Sequence, residues 1–187
     1  MNYTIKDIKE ILKKNLTEER YEHSLGTAEC AKKLAIEYNL DIDKAYLTGL
    51  IHDCAKCMPL DESKELLKTM TLECGEYENP KTYHAPIGAF VAKNYFGIDD
   101  EEILSSIRWH TIGKAEMSNF EKIIFLADKI EERTRPKECA EPIREALKEG
   151  LDNALLVCYK NTIKSLIDRD LFICTRTIDV YNNLVTK

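Results

Sequence analysis

An all-α fold is predicted by three observations. Apolar residues recur at i, i+3 and i+4 along most of the chain, capping side chains stand ahead of several of those runs, and only seven Gly and five Pro punctuate 187 residues. That is too little punctuation for the many short turns of an all-β chain. The length suits one domain, 1–187, with a substantial core, and no repeat, low-complexity segment or linker divides it.

The elements follow in order. Thr4 can cap a first helix on which Ile5, Ile8, Ile11, Leu12 and Leu16 recur at helical spacing. Thr17 restarts the chain, and Leu25, Ala28, Ala31, Leu34, Ala35 and Tyr38 make the apolar face of a second helix, with His23 in its first two turns. A third helix is expected from about Asp43 to Ala55, before Pro59 bars its extension. A charged helix near 61–71 gives way to CGEYENPKTYH, whose Gly, Asn and Pro make a loop that ends on His84. Pro86 suits the first turn of a helix running to about Tyr95, and Gly97 can end it. Asp99 and Asp100 start the next, where Ile103, Leu104, Ile107 and Trp109 lead to His110. Ser118 and Glu121 form a capping box, so Asp128 falls inside the helix that follows. Helical periodicity then runs from Pro142 to about Arg169 with a break near Gly150, and again from about Arg176 to the end.

Charge and cysteine content narrow the function. A net charge of −6 and a pI near 5.4 argue against broad attraction to a nucleic-acid backbone or an anionic membrane. A phosphate ligand must therefore meet local cations or metal. The N-terminal segment lacks the apolar stretch of a signal peptide, and no run of about 18 apolar residues occurs elsewhere, which predicts a cytoplasmic protein. Seven cysteines, scattered from Cys30 to Cys174, fit a reducing compartment and give no disulfide framework. The Cys54–Cys57 pair has the spacing of a redox motif or half a zinc site. No βαβ pattern surrounds it and the other cysteines are isolated, so an incidental role is expected.

Histidine is scarce, and its four occurrences carry the chemistry. His23, His52-Asp53, His84, His110 and Asp128 stand as H-x28-HD-x30-H-x25-H-x17-D, each on or bounding a predicted helix. Imidazole and carboxylate without thiolate suit zinc, iron, manganese, nickel or cobalt in a catalytic site. Asp128 follows the apolar run IIFLA and so points inward, where an unpartnered carboxylate is costly and a metal would satisfy it. Successive residues on a helix diverge by about 100°, so His52 and Asp53 do not clasp one ion side by side; the two oxygens of Asp53 can instead bridge two ions. Lys56, one turn after His52, and Arg133, just past the Asp128 helix, are the cations expected near phosphate, with Thr111 and Lys114 of HTIGK as further candidates. Tyr83 and Trp109 adjoin ligands and either line the site or fill core, and Glu22 and Glu132 are candidates for orienting ligands.

The strings YEHSLGTAECAKKLA, LTGLIHDCAK, HAPIGAFVAKNYFGI and SIRWHTIGKAEMSNFEKIIFLADKIE resemble the HD-domain superfamily, and within it the bacterial YqeK branch of symmetrical dinucleoside tetraphosphatases, over about residues 17–135. The resemblance implies an HD-type helical bundle with a C-terminal helical extension from about 142 to 187. It implies that His23, His52, Asp53 and Asp128 hold a first metal ion and His84 and His110 a second, with Asp53 bridging. Iron is the metal it suggests, and the implied reaction is symmetrical hydrolysis of diadenosine tetraphosphate to two ADP. Two ions about 3.5–4 Å apart would activate water and neutralise charge on the attacking and leaving oxygens. Asp53, Lys56 and Arg133 are the residues expected to take part in catalysis. Cys54, where the branch often has Tyr, and Glu132-Arg133-Thr134-Arg135, where it has a Pro-Asn-Arg-like segment, are departures that touch the substrate contacts and not the ligands. The partner expected is a small-molecule nucleotide, and a homodimer is compatible with the reading. Other nucleotidases or phosphodiesterases of the superfamily are the near alternative, although the GYP motif of its cyclic-dinucleotide phosphodiesterases is absent. A catalytically silent nucleotide-binding module is the more distant one, and the complete ligand set argues against it.

Overall fold

The computed structural model describes residues 3–186 and, among them, consists of ten α-helices and one 3-10 turn with no strand. The all-α expectation holds. Helix α1 (Ile5–Asn15) starts at a capping box in which Thr4 accepts from the Asp7 N–H and Asp7 accepts from the Thr4 N–H. It buries Ile8 and Leu12. Helix α2 (Glu18–Glu37) is capped by Thr17, and α3 (Ile42–Ile51) by Asp41. These two helices cross closely at Gly49: a Cβ there would stand 2.9 Å from the Ala28 Cα. Small residues on both sides thus let α2 bring His23 against His52, their ring centroids 5.2 Å apart.

Helix α4 (Leu60–Leu67) and the 3-10 turn Pro80–Thr82 lead into α5 (His84–Asn94), and Asp100 caps α6 (Glu101–Trp109) through the N–H groups of Glu102 and Ile103. The Ser118–Glu121 capping box opens α7 (Asn119–Ile130), as expected, and Asp128 lies in its last turn. Helices α8 (Lys137–Leu147), α9 (Leu151–Asp168) and α10 (Thr175–Val185) complete the chain.

Three boundaries differ from expectation. Helix α3 stops at Ile51 and not near Ala55, because the His52 ring nitrogen Nδ1 donates to the Gly49 carbonyl at 2.7 Å and the chain goes on in i→i+3 turns such as Cys54 N–H to Ile51 O. Helix α4 ends at Leu67, four residues short of the expected 71, as Thr69 and Met70 donate to carbonyls three residues back. Helix α8 begins at Lys137 and carries Pro142 inside it. Pro142 and Glu138, the residue whose carbonyl loses its helical partner, are both exposed, so water can serve that carbonyl.

Two apolar clusters flank α2, α3 and α7. One gathers Leu12, Leu50, Ile51, Ile103 and Ile107 from α1, α3 and α6; the other gathers Ile123, Leu126, Ile143, Leu155 and Val180 from α7–α10. Each such fully buried side chain contributes roughly 1.5–3 kcal/mol. Ala28 of α2 belongs to the first cluster and Ala31 to the second. The seam between them is where the polar residues converge.

Candidate metal centre

All six sequence-derived ligand candidates meet at that seam, each less than a tenth exposed. His23 from α2 points Nε2 at Asp128 Oδ1 from α7, 2.8 Å away. His52, at the end of α3, sets its Nε2 3.7 Å from that same oxygen and 3.8 Å from Asp53 Oδ2. The other Asp53 oxygen, Oδ1, has His84 Nε2 at 3.1 Å and His110 Nε2 at 3.3 Å, and those two nitrogens lie 3.1 Å apart. The rings of His23, His52, His110 and His84 form a continuous chain with centroids 5.0–5.2 Å apart.

Tautomers follow from the outer ring nitrogens. His52 Nδ1 donates to Gly49 O and His110 Nδ1 to Ile107 O, each at 2.7 Å, while His23 Nδ1 lies 3.1 Å from Glu131 Oε1. A proton on Nδ1 leaves Nε2 as a lone pair. For His52 and His110 that lone pair aims at carboxylate oxygens, an arrangement that repels until a cation stands between them. His52 Nε2 and Asp53 Oδ1 are buried with no hydrogen bond at all. The donor set, four imidazoles and two carboxylates, suits a divalent or trivalent first-row metal. His23, His52 and Asp128 form one group with ligand atoms mutually within 4.8 Å, and His52, Asp53 and His110 another.

The electrostatics support such a site. Burial pushes His110 down to about 4, only partly offset by Asp53, and lowers His84 in the same way. Both shifts favour the neutral ring, the form that ligates a metal. Burial opposes ionisation of Asp53, but the adjoining His52, His110 and His84 hold it well below the usual carboxylate range. For Asp128 burial is outweighed by Lys129 and Arg135. His23 behaves otherwise: burial disfavours its charge, yet the hydrogen bonds with Asp128 and Glu131 raise it.

The expected cations divide. Lys56 Nζ sits 3.1 Å from His84 Nε2, at the cluster. Arg133 does not reach it, because its guanidinium is held at 2.6 Å by Glu22 and 2.7 Å by Glu29 on the outer face of α2. Lys114 is held by Glu121 at 2.6 Å and Ser105 at 3.0 Å. Thr111 Oγ1 is buried without a hydrogen bond. Glu22 and Glu132 pair with Arg133 and Lys33 and touch no ligand. Trp109 packs with Ile112 and Cys174 in core, whereas Tyr83 lines a cleft.

Four charged residues that sequence reasoning missed do reach the cluster. Arg20 approaches Asp53 Oδ2 at 3.4 Å, Lys129 pairs with Asp128 Oδ2 at 2.6 Å, Arg135 Nη2 lies 2.5 Å from Asp128 Oδ1 and 3.2 Å from His23 Nε2, and Glu131 takes the outer nitrogen of His23. Helical spacing could have found two of them, since Arg20 precedes His23, and Glu131 follows Asp128, by three residues. Beside His84 a cavity of about 510 Å³ opens, lined by Arg20, Lys56, Met58, Lys81 and Tyr83 among others. The Cys54 thiol faces the Gly88 carbonyl at 3.6 Å and Cys57 is exposed, and both are free thiols.

Comparison with known proteins gives the family. A family model described as the HD domain matches residues 20–133. The chain is 37% identical over 179 residues to a Halalkalibacterium halodurans protein named bis(5'-nucleosyl)-tetraphosphatase, symmetrical, with 95% of each chain covered. A Bacillus subtilis (strain 168) protein of the same name is 34% identical over 176 residues, with 94% of each covered. The crystal structure of a Clostridium acetobutylicum protein described as a predicted HD superfamily hydrolase involved in NAD metabolism superposes with a TM-score of 0.92 at 39% identity, covering 100% of this chain and 99% of that one.

Proposed function

This chain belongs to the HD domain family, and on that premise we propose that it is a metal-dependent phosphohydrolase that splits dinucleoside tetraphosphates symmetrically, diadenosine tetraphosphate giving two ADP. One observation carries the proposal: two buried carboxylates face four imidazole nitrogens in two adjoining groups, and one of those groups borders a cleft rich in cations. His23, His52 and Asp128 would hold one ion and His84 and His110 the other, with Asp53 shared between them. Bound metal would supply Lewis acidity and water activation at neutral pH. Iron is the metal we favour, and the same donors accept manganese, cobalt, nickel or zinc.

The chain's own residues supply the binding. Lys56 and Arg20 stand where phosphate oxygens would approach the Asp53 end, and Lys81 extends the cationic lining outward. Met58, Leu60, Pro80 and Tyr83 give the same cleft an apolar wall for a nucleoside. In the reaction water adds across the central P–O–P linkage, one ADP gaining the hydroxyl oxygen and the other keeping the bridging oxygen.

We read residues 1–187 as one domain, because α8–α10 share a core with α7, the helix that carries Asp128. A cytoplasmic setting fits seven free thiols. Among the described residues no helix is long and apolar enough to cross a membrane. The test is a product assay: metal-loaded protein incubated with diadenosine tetraphosphate should yield ADP alone. ATP with AMP would mean asymmetric cleavage, and absence of ADP while other nucleotides are hydrolysed would replace the substrate.

A further inference from the structure

We propose that Glu131 is a positioning residue for the metal centre: its buried carboxylate keeps the proton of His23 on Nδ1 and turns Nε2 of that ring to the ion. The inference rests on the assignment of His23 as a ligand made above. Glu131 is fully buried at the end of α7, and its Oε1 lies 3.1 Å from His23 Nδ1. The carboxylate is itself fixed from the other side. The Thr134 hydroxyl donates to Oε1, the Arg133 N–H donates to Oε2 at 2.6 Å, and the Thr134 N–H reaches both oxygens at 3.1 Å. A carboxylate tied by a hydroxyl and two backbone amides has little freedom to swing away from the ring.

The packing has made room for it. Gly26 lies on α2 one turn after His23, and a Cβ at that position would stand 2.2 Å from Glu131 Oε2 and 2.9 Å from its Cδ. Glycine inside a helix costs roughly 0.5–1 kcal/mol relative to alanine. Here that cost admits the carboxylate.

A comparison with the other rings shows what is particular to His23. His52 and His110 donate Nδ1–H to backbone carbonyls of Gly49 and Ile107, neutral acceptors that belong to the ring's own helical turn. His23 has a full negative charge as acceptor, reaching it across from another helix. A carboxylate behind an imidazole makes the opposite nitrogen a better ligand. It also offsets Arg135 and Lys129, the two cations that crowd Asp128 at 2.5 and 2.6 Å and would otherwise oppose an ion there.

The test is a cobalt(II) titration of metal-stripped protein, followed by visible absorption and calorimetry, for the parent and for Glu131→Gln. We expect two equivalents in the parent. In Glu131→Gln one equivalent should bind as before and the other about 10–100-fold more weakly, with the helical circular dichroism and the melting temperature of the metal-free chain little changed. A role confined to packing would move the melting temperature and leave both affinities alone, and that result overturns the inference. If Glu131→Gln does not fold, long-range proton–nitrogen spectra of zinc-loaded parent decide the matter. His23 should carry its proton on Nδ1, and a proton on Nε2 overturns the inference. A parent that binds no ion through His23 overturns the ligand assignment and this inference together, whereas two ions with equal affinities in parent and Glu131→Gln overturn the inference alone.

Discussion

Asp128 and Asp53 are both buried and both face histidine nitrogens, yet their other neighbours differ. Asp128 has cations beside it: Arg135 and Lys129 lie within 2.6 Å of its two oxygens, and His23 Nε2 stands 2.8 Å from one of them. Asp53 has none so close, since Arg20 stands off at 3.4 Å, and its Oδ1 makes no hydrogen bond although two imidazole nitrogens crowd it. The Asp128 end is a network in which the protein supplies its own counter-charge. The Asp53 end leaves lone pairs in want of a cation and borders the cleft. Burying such groups without a partner sacrifices stability, and His52 Nε2, which faces both carboxylates and has no hydrogen bond, carries that want of a cation from one end to the other.

The sharpest way to break this comparison is to remove the residue common to both groups. Asp53→Ala, or His52→Ala beside it, should lower hydrolysis by about three orders of magnitude, some 4 kcal/mol in the barrier, and reduce metal content. Helical circular dichroism should persist, because both residues lie past Ile51, the last residue of α3, and His52 bonds only the Gly49 carbonyl of its final turn. Full activity in either variant would refute the site. A smaller and more selective effect is expected at the cleft end. His84→Ala or His110→Ala should remove one ion and leave the other on His23, His52 and Asp128, which elemental analysis can count.

Cations rank below the ligands. Lys56→Ala should raise KM about tenfold, the loss of one charge-assisted contact of roughly 1.5 kcal/mol, with metal content unchanged. Arg133→Ala provides the smallest effect and the sharpest contrast with it. Its guanidinium is half-exposed and turned to Glu22 and Glu29, so activity should stay within about twofold and stability within about 1 kcal/mol, as for most surface pairs. A loss comparable to that of Lys56→Ala would show that Arg133 swings into the cleft.

How legible this was in the sequence depends on the range of the interaction. Capping and periodicity are local, and Thr4, Thr17, Asp100 and Ser118 begin the helices they were expected to begin. The six ligand candidates were legible as a string because imidazole is scarce and each stands at a helix boundary or on an inward face. The early end of α3 was not, since it depends on a side-chain donor taking the Gly49 carbonyl. Nor was the division among cations. Lys56 and Arg133 each lie near a ligand in sequence, and only the approach of α2 to the end of α7 sets Arg133 against Glu22 and Glu29 while bringing Arg135 inward. Glu131 and Glu132 differ by one position, and because α7 ends at Ile130 and Glu131 has left helical geometry, helical periodicity could not say which of them meets His23.

The most direct test of the two-ended centre is to count the metal. Elemental analysis of the parent, loaded with iron or manganese under anaerobic conditions and freed of excess, should give two ions per chain, falling to one in His110→Ala. One ion per chain in the parent, unchanged in His110→Ala, would contradict the account.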